Sequence, residues 1–127
     1  MADPFRAAVE SRDLPAMIES LADTVVFHSP ITFRPFEGRA AVGHVLGAVL
    51  ETLEDFRYTD ELAGETAHAL VFEARVGDRS VQGIDLLRFD SAGKIDDFTV
   101  LVRPLSGAVA LAEAMGPKVA GLRDGGA

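Results

Sequence analysis

The chain has 127 residues, 48% of them hydrophobic and 25% charged, which suits one globular domain and is too little for two. A net charge of −8, from 20 acids against 12 bases, repels a phosphate backbone and argues against nucleic acid as a partner. Cysteine is absent, which excludes disulfides, a thiolate nucleophile and cysteine-ligated metal; no basic leader or run of roughly 18 apolar residues points to secretion or a membrane, so a cytoplasmic protein is expected.

Asp3-Pro4 reads as an N-cap followed by proline in the first helical turn, and Phe5 and Val9 stand four apart in an alanine-rich segment to about Arg12. That pattern predicts a short amphipathic helix. Asp13 caps again, and Leu14, Met17, Ile18 and Leu21 recur at helical spacing for a second. Thr24 to Ser29 is β-branched and aromatic and predicts a strand, which Pro30 ends because it has no N–H for a ladder. Pro35 to Gly38 reads as a turn. Val42, Val45, Leu46, Val49, Leu50 and Leu53 then form an i, i+3, i+4, i+7 stripe, the mark of the longest helix.

From about Phe56 the period switches to two. Breaks at Ala63-Gly64-Glu65, Gly77-Asp78 and Asp90 to Gly93 divide the rest into strands near 55–63, 67–76, 80–89 and 94–103, most simply a meander. Ser106 is read as the cap of a final helix through Met115, stopped by Gly116-Pro117. One domain over residues 1–116 is expected, with 117–127 as a C-terminal tail that is loose from Arg123.

This order predicts an α+β fold, a curved, mainly antiparallel sheet whose concave face is covered by the N-terminal helices and crossed by the long one. A strongly twisted sheet folded over a helix rarely closes completely, and the gap predicts an apolar pocket for a small hydrophobic ligand. Alternation sets Val81, Gly83, Asp85, Leu87 and Phe89 on one face of their strand, and Phe98, Val100 and Val102 on one face of the last. With Phe5, Phe27, Leu46, Leu50 and Phe72, all of these residues except Phe89 are the predicted lining. Asp85 is then a carboxyl group among hydrophobic neighbours. Burial disfavours its charged form, which suits a general base or, if protonated, a hydrogen-bond donor to an oxyanion. The plain structural alternative is an aspartate whose oxygens are satisfied by Ser, Thr or backbone N–H groups.

The segment from Val81 to Ile95 (VQGIDLLRFDSAGKI), with Ser11-Arg-Asp-Leu14 and Phe27-His-Ser-Pro30, resembles the ketosteroid isomerase and SnoaL-like branch of the nuclear transport factor 2-like superfamily. The likeness covers roughly residues 3–115. It implies a cone-shaped α+β barrel, a deep pocket and frequent homodimers through the outer sheet face. Ketosteroid isomerases hold one aspartate protonated in their oxyanion hole, and the resemblance matches Asp85 to it. The family's proton-shuttling base aligns with Ser29 and its tyrosine donor with Phe5, so two of three chemical roles are absent and steroid isomerisation in the strict sense is not expected. Limonene epoxide hydrolases share the fold but need an arginine where Gly83 stands.

Histidine titrates near neutrality, so His28 would restore a base if the chain kinks at Pro30, although simple alternation turns it away from Ser29. Tyr58 is a possible buried donor, provided that the strand register turns it inward. His44 and His68 are expected at the surface, as are Arg34, Arg39, Arg57, Arg103 and the pair Asp96-Asp97. No metal site and no cofactor are expected. Two functions stay open: a proton-transfer enzyme of the isomerase or cyclase type with Asp85, Ser29 and His28 as candidate catalytic groups, and a non-catalytic ligand-binding or dimerising domain.

Overall fold

A computed structural model describes residues 2–122; Met1 and the loose tail expected from Arg123 lie outside the described residues. Helix α1 (Asp3–Glu10) buries Phe5, Ala8 and Val9, and α2 (Leu14–Glu19) follows after one turn, its N-terminus capped by Asp13, whose Oδ1 accepts from the Ala16 N–H at 3.1 Å. Asp3 caps nothing: Ala2 holds the cap position and Asp3 lies inside the first turn, where a negative charge still favours the helix dipole.

Strand β1 (Leu21–His28) begins three residues earlier than its β-branched run suggested. The stretch read as a turn contains a two-residue strand, β2 (Phe36–Glu37), paired antiparallel with β1. The burial of Phe36, whose ring centroid lies 6.4 Å from that of Phe27, draws this segment onto the sheet edge. Helix α3 (Arg39–Thr52) carries the apolar stripe, with Val42, Val45 and Leu46 buried. Four strands follow, β3 (Glu54–Ala63), β4 (His68–Val76), β5 (Arg79–Phe89) and β6 (Ile95–Arg103). The six strands form one open, mixed sheet in the order β2-β1-β6-β5-β4-β3, in which only β1 and β6 run parallel.

Helix α4 (Leu105–Val119) departs from expectation at both ends. Pro104 takes the cap position instead of Ser106, and the helix runs through Gly116 and Pro117. A proline removes one N–H without ending a helix whose next turn still has something to bury. Here Met115 and Val119, one turn apart, both pack on the core, so the helix continues past the boundary expected at residue 116. At its other end α4 lies so close to β5 that a Cβ on Gly107 would stand 2.5 Å from Val81 Cγ1 and 3.1 Å from the Ser80 carbonyl oxygen.

One end of the concave face is packed solid, with Leu21, Leu70, Leu87 and Ile95 fully buried. Towards the C-terminal ends of β1 and β6, Phe27, Ser29, Val100 and Val102 face open space instead. The core therefore ends in a hollow rather than a floor of side chains.

Candidate functional site

The hollow is a cavity of about 610 Å3. Phe27, Phe72, Phe98, Val100 and Val102 line it from the sheet, Phe5 from α1, Leu46, Val49 and Leu50 from α3, and Leu111 and Met115 from α4. Val49 and Leu50 belong to the helical stripe yet are only half-buried, because they look onto this space. Two predicted lining residues do not reach it. Leu87 lies one step too deep, in the solid end beyond Asp85. Gly83 is covered by its cross-strand neighbour: a Cβ there would fall 2.3 Å from Phe72 Cζ and 2.6 Å from the Leu101 carbonyl oxygen. Glycine at 83 thus lets the Phe72 ring lie across β5.

Asp85 lines the cavity and is 7% exposed. Its Oδ2 accepts a 2.8 Å hydrogen bond from the Tyr58 hydroxyl. Among the described residues its other oxygen has no protein hydrogen bond, so the arrangement with Ser, Thr or backbone donors is not found. Burial pushes the Asp85 carboxyl up to about 7, and the Tyr58 hydrogen bond pulls the other way. The Tyr58 hydroxyl is itself driven far above its ordinary range by burial, then by the neighbouring Asp85 charge. It therefore stays a proton donor at any working pH.

Tyr58 faces the cavity because its register places it opposite Phe72, while irregularities in the β3–β4 ladder stand on both sides of it, between Glu54 and Arg57 and between Tyr58 and Asp60. The second shift reverses the alternation, so Glu61 joins the face of Tyr58 despite its odd spacing. No residue pattern in the sequence announces either irregularity. A run of aromatic contacts fixes the ring: Phe56 meets Tyr58 edge-on at 4.9 Å and stacks on Phe72 at 4.9 Å.

The other two candidate catalytic residues behave differently. Ser29 lines the cavity, but its Oγ accepts from the N–H groups of Ile31 and Thr32, both at 3.1 Å, and so shapes the turn after β1. His28 does not line it. Its Nε2 donates to Asp97 Oδ2 at 3.2 Å on the opposite sheet face, because the strand keeps its alternation as far as His28. The expectation of exposure holds for His44 but not for His68, whose side chain is 12% exposed and donates to Glu61 Oε2 at 2.6 Å. Among the described residues no group of three or more acidic or histidine side chains converges at metal-binding spacing.

A SnoaL-like domain model matches residues 2–98. The chain belongs to the SnoaL-like family. A solved steroid delta-isomerase from Pseudomonas aeruginosa is 42% identical to this SnoaL-like chain, with a TM-score of 0.85 over 90% of this chain and 85% of that one. An uncharacterized protein with a cystatin-like fold from Silicibacter pomeroyi is 31% identical, with a TM-score of 0.87 over 91% and 82%. An NTF2-like protein of unknown function from Cytophaga hutchinsonii, at 16% identity, shares the fold with a TM-score of 0.62 over 80% and 85%. No curated protein matches. The expected α+β fold and superfamily are thereby established for this SnoaL-like chain, and among the described residues no helix is long and apolar enough to cross a membrane.

Proposed function

We propose that this SnoaL-like domain binds a small hydrophobic carbonyl compound and moves a proton on it, with Asp85 as the acid/base. The observation that carries the reading is a buried carboxyl group that lines a mainly apolar cavity, is pushed up to about 7 by burial and has, among the described residues, one protein hydrogen bond, from Tyr58. A general base works best when its pKa lies near the operating pH. The ionised carboxylate takes a proton from the carbon beside the carbonyl and returns it at another position. As Asp85 becomes protonated it accepts the Tyr58 hydrogen bond less strongly, and the phenol is freed to donate to the developing enolate oxygen. In this reading Tyr58, arriving from β3, supplies the donor that Phe5 lacks. The likeness to the steroid delta-isomerase supports this class of reaction. The test is turnover of a panel of β,γ-unsaturated ketones and cyclisation substrates by the parent and by Asp85→Asn; equal rates would end the catalytic assignment.

A second reading, a non-catalytic binding domain in the cytoplasm, draws on Ser29 and His28, whose polar atoms serve a turn and Asp97 instead of joining Asp85. Ligand binding that survives in Asp85→Asn with no turnover in either protein would favour it. Either reading includes a homodimer through the outer sheet face. The exposed Leu101, its cross-strand neighbour Ile84 and, one strand further, Val71 form an apolar row there, beside a polar row of Arg57, Glu73, Gln82 and Arg103. A two-fold axis through this row would set its apolar side chains against their own copies. Sedimentation of Leu101→Arg tests it: a monomer is expected, and an unchanged assembly would exclude this face.

A further inference from the structure

Tyr58 is backed by a cation as well as by aromatic rings. The guanidinium carbon of Arg6 stands 5.5 Å from the centroid of the Tyr58 ring. Arg6 follows Phe5, which enters the cavity and meets Phe98 edge-on at 5.3 Å, so one turn of α1 serves both the pocket wall and the tyrosine. The guanidinium is fixed at both ends: Nη1 donates to Glu61 Oε1 at 2.7 Å and Nε to Glu10 Oε2 at 3.3 Å. The Glu61 carboxylate is held in turn by His68 on β4. Glu10, Glu61 and, behind Glu61, His68 are the charged and titratable groups around Arg6.

We infer that Arg6 is a positioning residue of this site: clamped by Glu61 and Glu10 against the Tyr58 ring, it sets the aim and strength of the hydrogen bond that Asp85 receives. The inference rests on Asp85 being the working acid/base. A cation over an aromatic face is attracted by the ring quadrupole and draws electron density from it. The phenol becomes a stronger donor, and a stronger donor favours the ionised carboxylate. The forked guanidinium is suited to the task, since it reaches two carboxylates while facing the ring; lysine keeps the charge but loses the fork.

The test is a 13C NMR titration of the Asp85 carboxyl in the full chain and in Arg6→Met, Arg6→Lys, Tyr58→Phe and the Arg6→Met/Tyr58→Phe double variant. Arg6→Met is expected to move the Asp85 midpoint up by roughly half a pH unit, and Arg6→Lys by less. In the Tyr58→Phe background Arg6→Met should add nothing. A folded Arg6→Met whose Asp85 midpoint is unmoved overturns the inference, even if its melting temperature falls. The same upward shift with and without Tyr58 also overturns it, because Arg6 would then act by bare charge. If Arg6→Met does not fold, Glu61→Gln, which loosens the clamp but keeps the cation, should give a smaller shift of the same sign, and no shift there counts against the inference. Turnover unaffected by Asp85→Asn would instead remove the catalytic reading while leaving these titrations interpretable.

Discussion

Tyr58 and Asp85 lie 27 residues apart in sequence and on strands separated by β4, yet the tyrosine hydroxyl reaches over that strand to the carboxylate at 2.8 Å. It is the one protein hydrogen bond that the Asp85 side chain makes among the described residues. Removing it should therefore change the carboxyl in a defined direction. Tyr58→Phe is expected to raise the Asp85 midpoint from about 7, because the lost hydrogen bond favoured the charged form. Loss of a buried hydrogen bond to a charged group should also lower stability by about 1.5–3 kcal/mol where Asp85 is ionised. A carboxyl NMR titration and urea denaturation measure the two effects. A downward shift would contradict the geometry.

The pH dependence of stability follows from the same group. Burial pushes the Asp85 carboxyl up to about 7 in the folded chain, against an ordinary value of 3.8 that unfolding would restore. Between those values the folded state binds the extra proton, so this group's contribution to stability falls as pH rises from about 4 to about 7 and is level above. The span is on the order of a few kcal/mol. Asp85→Asn has no charge to bury, and should gain stability over the parent at pH 8 relative to pH 5. Melting temperatures of both proteins across that range decide it; parallel curves would mean that Asp85 is wet.

If Asp85 works as a base, the rate should carry the same signature. In kcat/KM an ascending limb centred near 7 is expected, shifted to higher pH in Tyr58→Phe. A descending limb in the same range would make protonated Asp85 the active form, acting as a donor instead.

Gly83→Ala places a methyl group where Phe72 Cζ stands 2.3 Å away and the Leu101 carbonyl oxygen 2.6 Å away. The ring has to swing towards the cavity or the strands have to part, and overpacking of this kind typically lowers stability by about 1–3 kcal/mol. Chemical denaturation gives the stability, and the Phe72 ring resonances show which of the two moves. An unperturbed, equally stable protein would mean that Phe72 does not cross β5.

Filling the hollow tests whether it is a ligand site. Val100 lines the cavity and is only half-buried, so Val100→Phe has room to extend into it. Stability within about 1 kcal/mol of the parent is expected, together with loss of binding for small hydrophobic ketones measured by calorimetry. Retained affinity would put the ligand elsewhere.

Much of the scaffold was legible because hydrophobic period is local. The stripe from Val42 to Leu53, the alternation along β4 to β6 and the turn residues between them set helix, strands and their order, and the company Asp85 keeps on its strand singled it out. The short β2 and the run of α4 past Pro117 were not legible, since each depends on what Phe36, Met115 and Val119 find to pack against. His28 followed simple alternation, whereas Tyr58, Glu61 and His68 depended on ladder irregularities and on contacts between β3, β4 and α1.

The sequence by itself determined which residues share a face, because that needs only the two-residue and 3.6-residue periods of the backbone. The tertiary structure alone decided which polar atoms meet on that face. Hydrogen-bond partners two strands apart are selected by sheet register, bulges and the seating of a helix, and none of these is a property of neighbouring residues in the chain.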